Sequence, residues 1–85
     1  MPTQTVVVGS AVGLHARPAG IIAEAAQGLG STVTIGLPGQ PPVDASSSLM
    51  IMTLGAGNGV QVEVTGEDEA AVAAIAALVE QDLDA

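Results

Sequence analysis

The chain contains no phenylalanine, tyrosine or tryptophan, although 48% of its residues are hydrophobic. Aromatic rings are the large pieces of most small cores. Without them the interior has to be built from Val, Ile, Leu, Met and Ala, packed as many small interlocking side chains. A chain of 85 residues buries roughly 60–65% of the surface its unfolded form exposes. That is enough for one core, so a single domain over residues 1–85 is expected. The apolar content argues against disorder.

With no cysteine there is no disulfide framework and no thiolate metal site. No basic segment followed by an apolar run marks a signal peptide at the N-terminus. The apolar runs are broken by Gly, Ser or charged residues well short of the ~20 residues a membrane span needs. A soluble protein without membrane insertion is expected.

The periodicity of the apolar residues sets the elements. Residues 3–8 are rich in Val and Thr and read as a strand, followed by a loop punctuated by Gly9-Ser10 and Gly13. From Pro18 to about Gln27 a helix is expected, because Ile21, Ile22, Ala25, Ala26 and Leu29 recur at helical spacing, with Gly28 and Gly30 as its stop. Residues 31–35 alternate as a half-buried strand. Leu37-Pro38-Gly39-Gln40 suits a turn, and a short strand near residues 42–44 is confined to an edge by its prolines. Ser46, Ser47 or Ser48 can cap a short helix running to about Met52. Val60, Val62 and Val64 alternate with Gln61 and Glu63, the clearest strand in the chain. Residues 67–83 form a last helix with Val72, Ile75, Val79 and Leu83 on one stripe, and Thr65 with Asp68 fits a capping box. The order β-α-β-β-α-β-α predicts an α+β open-faced β-sandwich, a four-stranded antiparallel sheet with three helices on one face.

Nine acidic residues, one Arg and no Lys give a net charge of −8. Glu67, Asp68, Glu69, Asp82 and Asp84 flank the last helix, and their plain role is solubility. Such a surface repels nucleic acid and anionic membranes, so neither is expected as a partner. Against that background the position of the single cation is informative.

It lies in Gly13-Leu14-His15-Ala16-Arg17-Pro18, where the first loop meets the first helix. A helix start carries unpartnered N–H groups and partial positive charge, and receives phosphate readily. Pro18 costs little there, because its missing N–H would be an orphan donor. The amides of Ala16 and Arg17 stay free to face an anion, and the Arg17 guanidinium forks toward phosphate oxygens. Histidine is a nucleophile that forms covalent intermediates. The plain alternative is a surface histidine at a helix cap.

Residues 13–19, Gly-Leu-His-Ala-Arg-Pro-Ala, resemble the phosphorylation-site signature of the HPr family, the small histidine phosphocarriers of the bacterial sugar phosphotransferase system. Ser47, Leu49-Met50-Ile51-Met52 and Thr53-Leu54-Gly55 resemble that family's second-helix region, and Gly66-Glu67-Asp68-Glu69 the lead into its last helix. The resemblance covers nearly the whole chain in register. It implies a cytoplasmic, monomeric carrier rather than a free-standing catalyst. His15 would accept phosphoryl on Nδ1 from enzyme I, itself charged by phosphoenolpyruvate, and pass it to a histidine on the IIA component of a sugar transporter. Arg17 and the Ala16 and Arg17 amides would surround the phosphate, with no metal or organic cofactor on the carrier.

Ser47 falls at the family's regulatory serine, which would bring a serine kinase and regulators among the partners; its plain role is an N-cap. Leu49, Met50 and Met52 are candidates for an apolar docking patch, with Leu49 the most exposed, against core packing as the alternative. This chain departs from the family pattern around that serine, where Ser46 replaces a common Lys and Ser48 an aliphatic residue. It also lacks the lysines that many members carry around the active face, and has Glu24 and Gln27 on the first helix instead. The segment from Gly39 to Ser47 is about one residue longer than usual, and the Val64–Glu67 junction shorter. Three other readings exist within the same architecture: a carrier in a nitrogen-regulatory or dihydroxyacetone-kinase relay, a regulatory binding module acting through Ser47, and a structural domain in which His15 is incidental.

Overall fold

Alternating β-branched residues pair into one sheet in the computed structural model, which describes residues 2–83. The elements are β1 (Thr3–Val7), α1 (Ala16–Gly28), β2 (Val33–Gly36), β3 (Val43–Asp44), α2 (Ser48–Thr53), β4 (Gln61–Gly66) and α3 (Glu69–Glu80). Four strands run in the order β1-β4-β2-β3, every pair antiparallel. This is the α+β open-faced sandwich expected from the element order. Asp84, one of the acids assigned to the end of the last helix, lies outside the described residues, as do Met1 and Ala85.

Register sorts the side chains. Val6 stands opposite Val62, and Ile35 opposite Val64, all four buried under the helices. On the other face Thr5 meets Glu63 and Thr34 meets Thr65, a polar surface open to water as one face of an antiparallel sheet commonly is. The prolines do confine β3 to an edge, where it pairs only with β2. α3 packs on β1 and β4, and α1 packs on α2 and α3.

The core is the aromatic-free mosaic the composition requires. Ile22, Ile35, Ile51 and Ile75 are its largest fully buried pieces, filled in by Val8, Val33, Val62, Val64, Val72 and Val79. Ala19, Ala23 and Ala26 on α1 and Ala71 and Ala76 on α3 are also buried. Their short side chains let the two helices approach closely. No helix among the described residues is long and apolar enough to cross a membrane.

Several boundaries differ from expectation. α1 starts at Ala16, two residues before Pro18, because the third helical position also has no intrahelical partner for an N–H. Its buried stripe is Pro18, Ala19, Ile22, Ala23 and Ala26, which leaves Ile21 and Leu29 on the surface. β2 begins at Val33, opposite the Gly66 that ends β4, so Ser31 and Thr32 have no ladder partner. Val60 precedes β4 and is partly exposed. The expected Thr65–Asp68 capping box does not form. Thr65 belongs to β4, with its hydroxyl on Thr3 at 3.0 Å, and Asp68 is itself the cap of α3, accepting the Ala70 amide at 3.0 Å.

α3 also stops earlier than expected. Gln81 turns extended, and Leu83 packs against the core from beyond the helix. The Ser10 hydroxyl holds that turn, donating to the Gln81 carbonyl at 3.3 Å and accepting the Leu83 amide at 3.2 Å. Ser10 is fully buried, the one polar side chain so placed among the described residues. Ser10→Ala strands both backbone groups, and a buried polar group left unpaired costs about 1–3 kcal/mol. Urea denaturation should show that loss, with a melting temperature lower by roughly 4–8 °C per kcal/mol; an unchanged midpoint would show that the turn does not depend on Ser10.

Candidate functional site

The path of the chain from β1 to α1 is set largely by backbone bonds. The Val8 amide donates to Val60 and the Gly9 amide to Val79, each at 3.0 Å, so the chain leaves the sheet wedged against the end of α3. Only glycine fits at position 9, since a Cβ there would collide with the Glu80 carbonyl. The Gly13 amide then closes a turn on the Ser10 carbonyl at 3.0 Å. Gly13 has φ +78°, and a Cβ on it would stand 2.5 Å from the Ala56 carbonyl oxygen. Left-handed backbone and close approach together require glycine. Leu14 buries its side chain and gives its amide to the same Ala56 carbonyl at 2.8 Å.

His15 follows as the N-cap of α1, in extended conformation, its carbonyl accepting the Ala19 amide at 2.8 Å. Its imidazole is exposed and makes no capping hydrogen bond. The first-turn amides of Ala16 and Arg17 have no helical partners, by the geometry of any helix start. Arg17 lies in the same turn, exposed, with no carboxylate of the described residues paired to it. His15, Ala16 and Arg17 are thus all exposed at the positive end of a 13-residue helix. Chemically this is a nucleophile beside an anion receiver.

Ser47 is elsewhere. It caps α2, its hydroxyl accepting the Met50 amide at 3.3 Å. Gln27, near the end of α1, donates to the Ser46 carbonyl at 2.9 Å. The start of α2 therefore meets the end of α1, and the two helices run in opposite directions. Twelve residues at 1.5 Å each put about 18 Å of helix axis between His15 and Gln27. Along α2, Leu49 is 69% exposed, the most of any large apolar residue among those described, and Met50 is 44% exposed. Met52 packs partly against the core at the end nearer His15.

Two residues of the site carried no recognisable signal. Ser10 was legible only as loop punctuation, and nothing in the sequence singled out Asn58. Asn58 donates its side-chain amide to the Ser10 carbonyl at 3.2 Å and, more weakly, to that of Gly9 at 3.4 Å. An Asn-Gly pair marks a turn in sequence; which distant carbonyls it reaches is visible only in the fold.

The architecture is an open-faced sandwich whose first helix is capped by a histidine, the class to which small phosphocarriers belong. The family model for the PTS HPr component phosphorylation site matches residues 2–81. The chain is 43% identical over 75 residues to the phosphocarrier protein HPr of Streptomyces coelicolor, spanning 88% of this chain and 81% of that protein. The crystal structure of HPr from Bacillus anthracis superposes with a TM-score of 0.84 at 33% identity, covering 92% of this chain and 95% of that one. That of HPr-C-His from Thermoanaerobacter tengcongensis gives 0.88 at 30% identity, covering 100% and 98%. The chain belongs to the HPr family.

Two hydrogen bonds to one carboxylate order the approach to α2. Asp44 accepts the Ser46 amide at 2.9 Å and its hydroxyl at 2.7 Å, and these two bonds, the amide first, hold its carboxyl below the ordinary value. A lowered carboxyl contributes stability above the unfolded value near 3.9, lost as pH falls through the folded one. Asp44→Asn should therefore be less stable than wild type at pH 7, with the gap closing in acid titrations below about pH 4. A gap that persists in acid would assign the effect to shape instead of charge.

Proposed function

We propose that this chain, acting as one cytoplasmic, monomeric domain, carries a phosphoryl group on His15 from enzyme I to IIA components of sugar transporters. The observation that carries the reading is the unbonded imidazole at the start of α1, with the chain's only Arg or Lys two residues further on. Membership of the HPr family supports it. In transfer, the free lone pair of Nδ1 attacks phosphorus, the N–P bond forms and the bond to the donor group breaks. The reverse exchange with a histidine of IIA returns the imidazole unmodified. While phosphate is in place, the Ala16 and Arg17 amides and the Arg17 guanidinium take its oxygens. The carrier itself needs no metal or organic cofactor for this exchange.

Leu49, with the exposed part of Met52 and neighbouring Met50, forms the docking surface for protein partners in this reading. A regulatory phosphate placed on Ser47 by a kinase would add negative charge and acceptor oxygens at the cap that now takes the Met50 amide. Beside the exposed Leu49 and Met50, it would act on partner docking.

Phosphotransfer from labelled phosphoenolpyruvate through the cognate enzyme I tests the assignment. Wild type should acquire acid-labile, alkali-stable label, and His15→Ala none, while keeping its circular dichroism. Full labelling of His15→Ala would reject His15 as the acceptor.

The surface charge makes a second prediction. With no lysine and a net charge of −8, docking cannot rely on basic steering toward an acidic partner. The transfer rate should vary only shallowly between low and physiological ionic strength; a steep fall with salt would contradict apolar docking.

A further inference from the structure

The His15 ring has no capping hydrogen bond to orient it, so its placement depends on the backbone that precedes it. That backbone is held on one side by the end of α3, through Gly9 on Val79 and Ser10 on Gln81 and Leu83. On the other side it is held by the connection between α2 and β4. Ala56 takes the Leu14 amide, and Asn58 reaches across 48 positions of sequence to the Ser10 carbonyl. That carbonyl is the one on which the Gly13 amide closes its turn. Asn58 thus holds the first residue of the turn and Ala56 the residue just past it, immediately before His15. Asn58 is exposed, so its side chain contributes little to the core.

We propose that Asn58 is a positioning residue for phosphoryl acceptance: by donating to the Ser10 and Gly9 carbonyls it fixes the turn that aims His15. This rests on the reading of His15 as the acceptor. The requirement is for a donor. Aspartate has nearly the same shape, but when ionised it is acceptor-only and sets like charge against two carbonyl oxygens. Glutamine keeps the donor at the cost of one methylene. Orientation effects of this kind act on the rate within the complex and not on partner affinity.

Asn58→Asp, Asn58→Ala and Asn58→Gln, with wild type, should be followed by phosphate transfer from enzyme I over a range of enzyme I concentrations. Amide hydrogen exchange at Gly13 and Leu14 supplies a readout independent of transfer. Aspartate should lower the saturating rate about tenfold with the half-saturating enzyme I concentration unchanged, and speed exchange at Gly13. Alanine should fall between aspartate and wild type, and glutamine should recover most of the rate. An unaltered rate in Asn58→Asp overturns the proposal, as does an equal loss in Asn58→Gln, which would mark a packing role. If Asn58→Asp proves unfolded by circular dichroism, Asn58→Ala decides, and an unaltered saturating rate there overturns the proposal. A wild type that accepts no phosphate would defeat the His15 reading itself; the clamp would then be judged by exchange alone, and unchanged protection of Gly13 in Asn58→Asp would overturn it.

Discussion

The 2.8 Å hydrogen bond from the Leu14 amide to the Ala56 carbonyl joins the loop before α1 to the connection after α2. Because that connection leads straight into β4, the central strand of the sheet's β1-β4-β2 core, the helix start inherits the rigidity of the sheet. Gly13 makes the approach possible by leaving no Cβ against Ala56 and by adopting a backbone that other residues avoid. Leu14 then sends its side chain into the core while His15, next along, points to water. An exposed nucleophile can be held in place this way without spending its ring nitrogens on a structural bond.

The missing aromatics explain why so much of the site rests on backbone. A core of valines, isoleucines and alanines packs closely but offers no ring to pin a loop from beneath. Loop 9–14 is tied down by hydrogen bonds at both ends instead, and the buried Ser10 hydroxyl is one of them. Glycine at positions 9 and 13 is the steric consequence, since backbone has to meet backbone where no side chain mediates. The same economy lets α1 lie close to α3 over alanines.

Legibility in the sequence followed the range of the interaction. The Val62–Val64 alternation, the proline-bound edge strand and the order of the elements depend on local pattern, and each could be read directly. The resemblance carried by Gly13 to Ala19 pointed to the family that the comparisons then established. What failed was contingent on contacts distant along the chain. Ile21 and Leu29 have helical spacing, yet the face of α1 that meets α2 and α3 runs through Pro18, Ile22 and Ala26. The end of α3 is set by Ser10, some seventy residues earlier, and not by a stop residue of its own. Thr65 lost its capping role because sheet pairing claimed it first. Asn58 had no local signature beyond a turn.

Charge completes the physical account of the corner around His15. A carrier must hold phosphate well enough to form and loosely enough to release. Helix-end stabilisation of an exposed anion contributes about 0.3–1 kcal/mol, and an exposed ion pair has a similar scale. Arg17 and the α1 terminus together would therefore favour the phosphorylated state modestly, within reach of an acceptor that offers comparable groups. Further cations would deepen that well, and the chain has none to add. In the proposed carrier a single guanidinium, in a chain of net charge −8, would hold the phosphoryl group only lightly and so leave it free to move on.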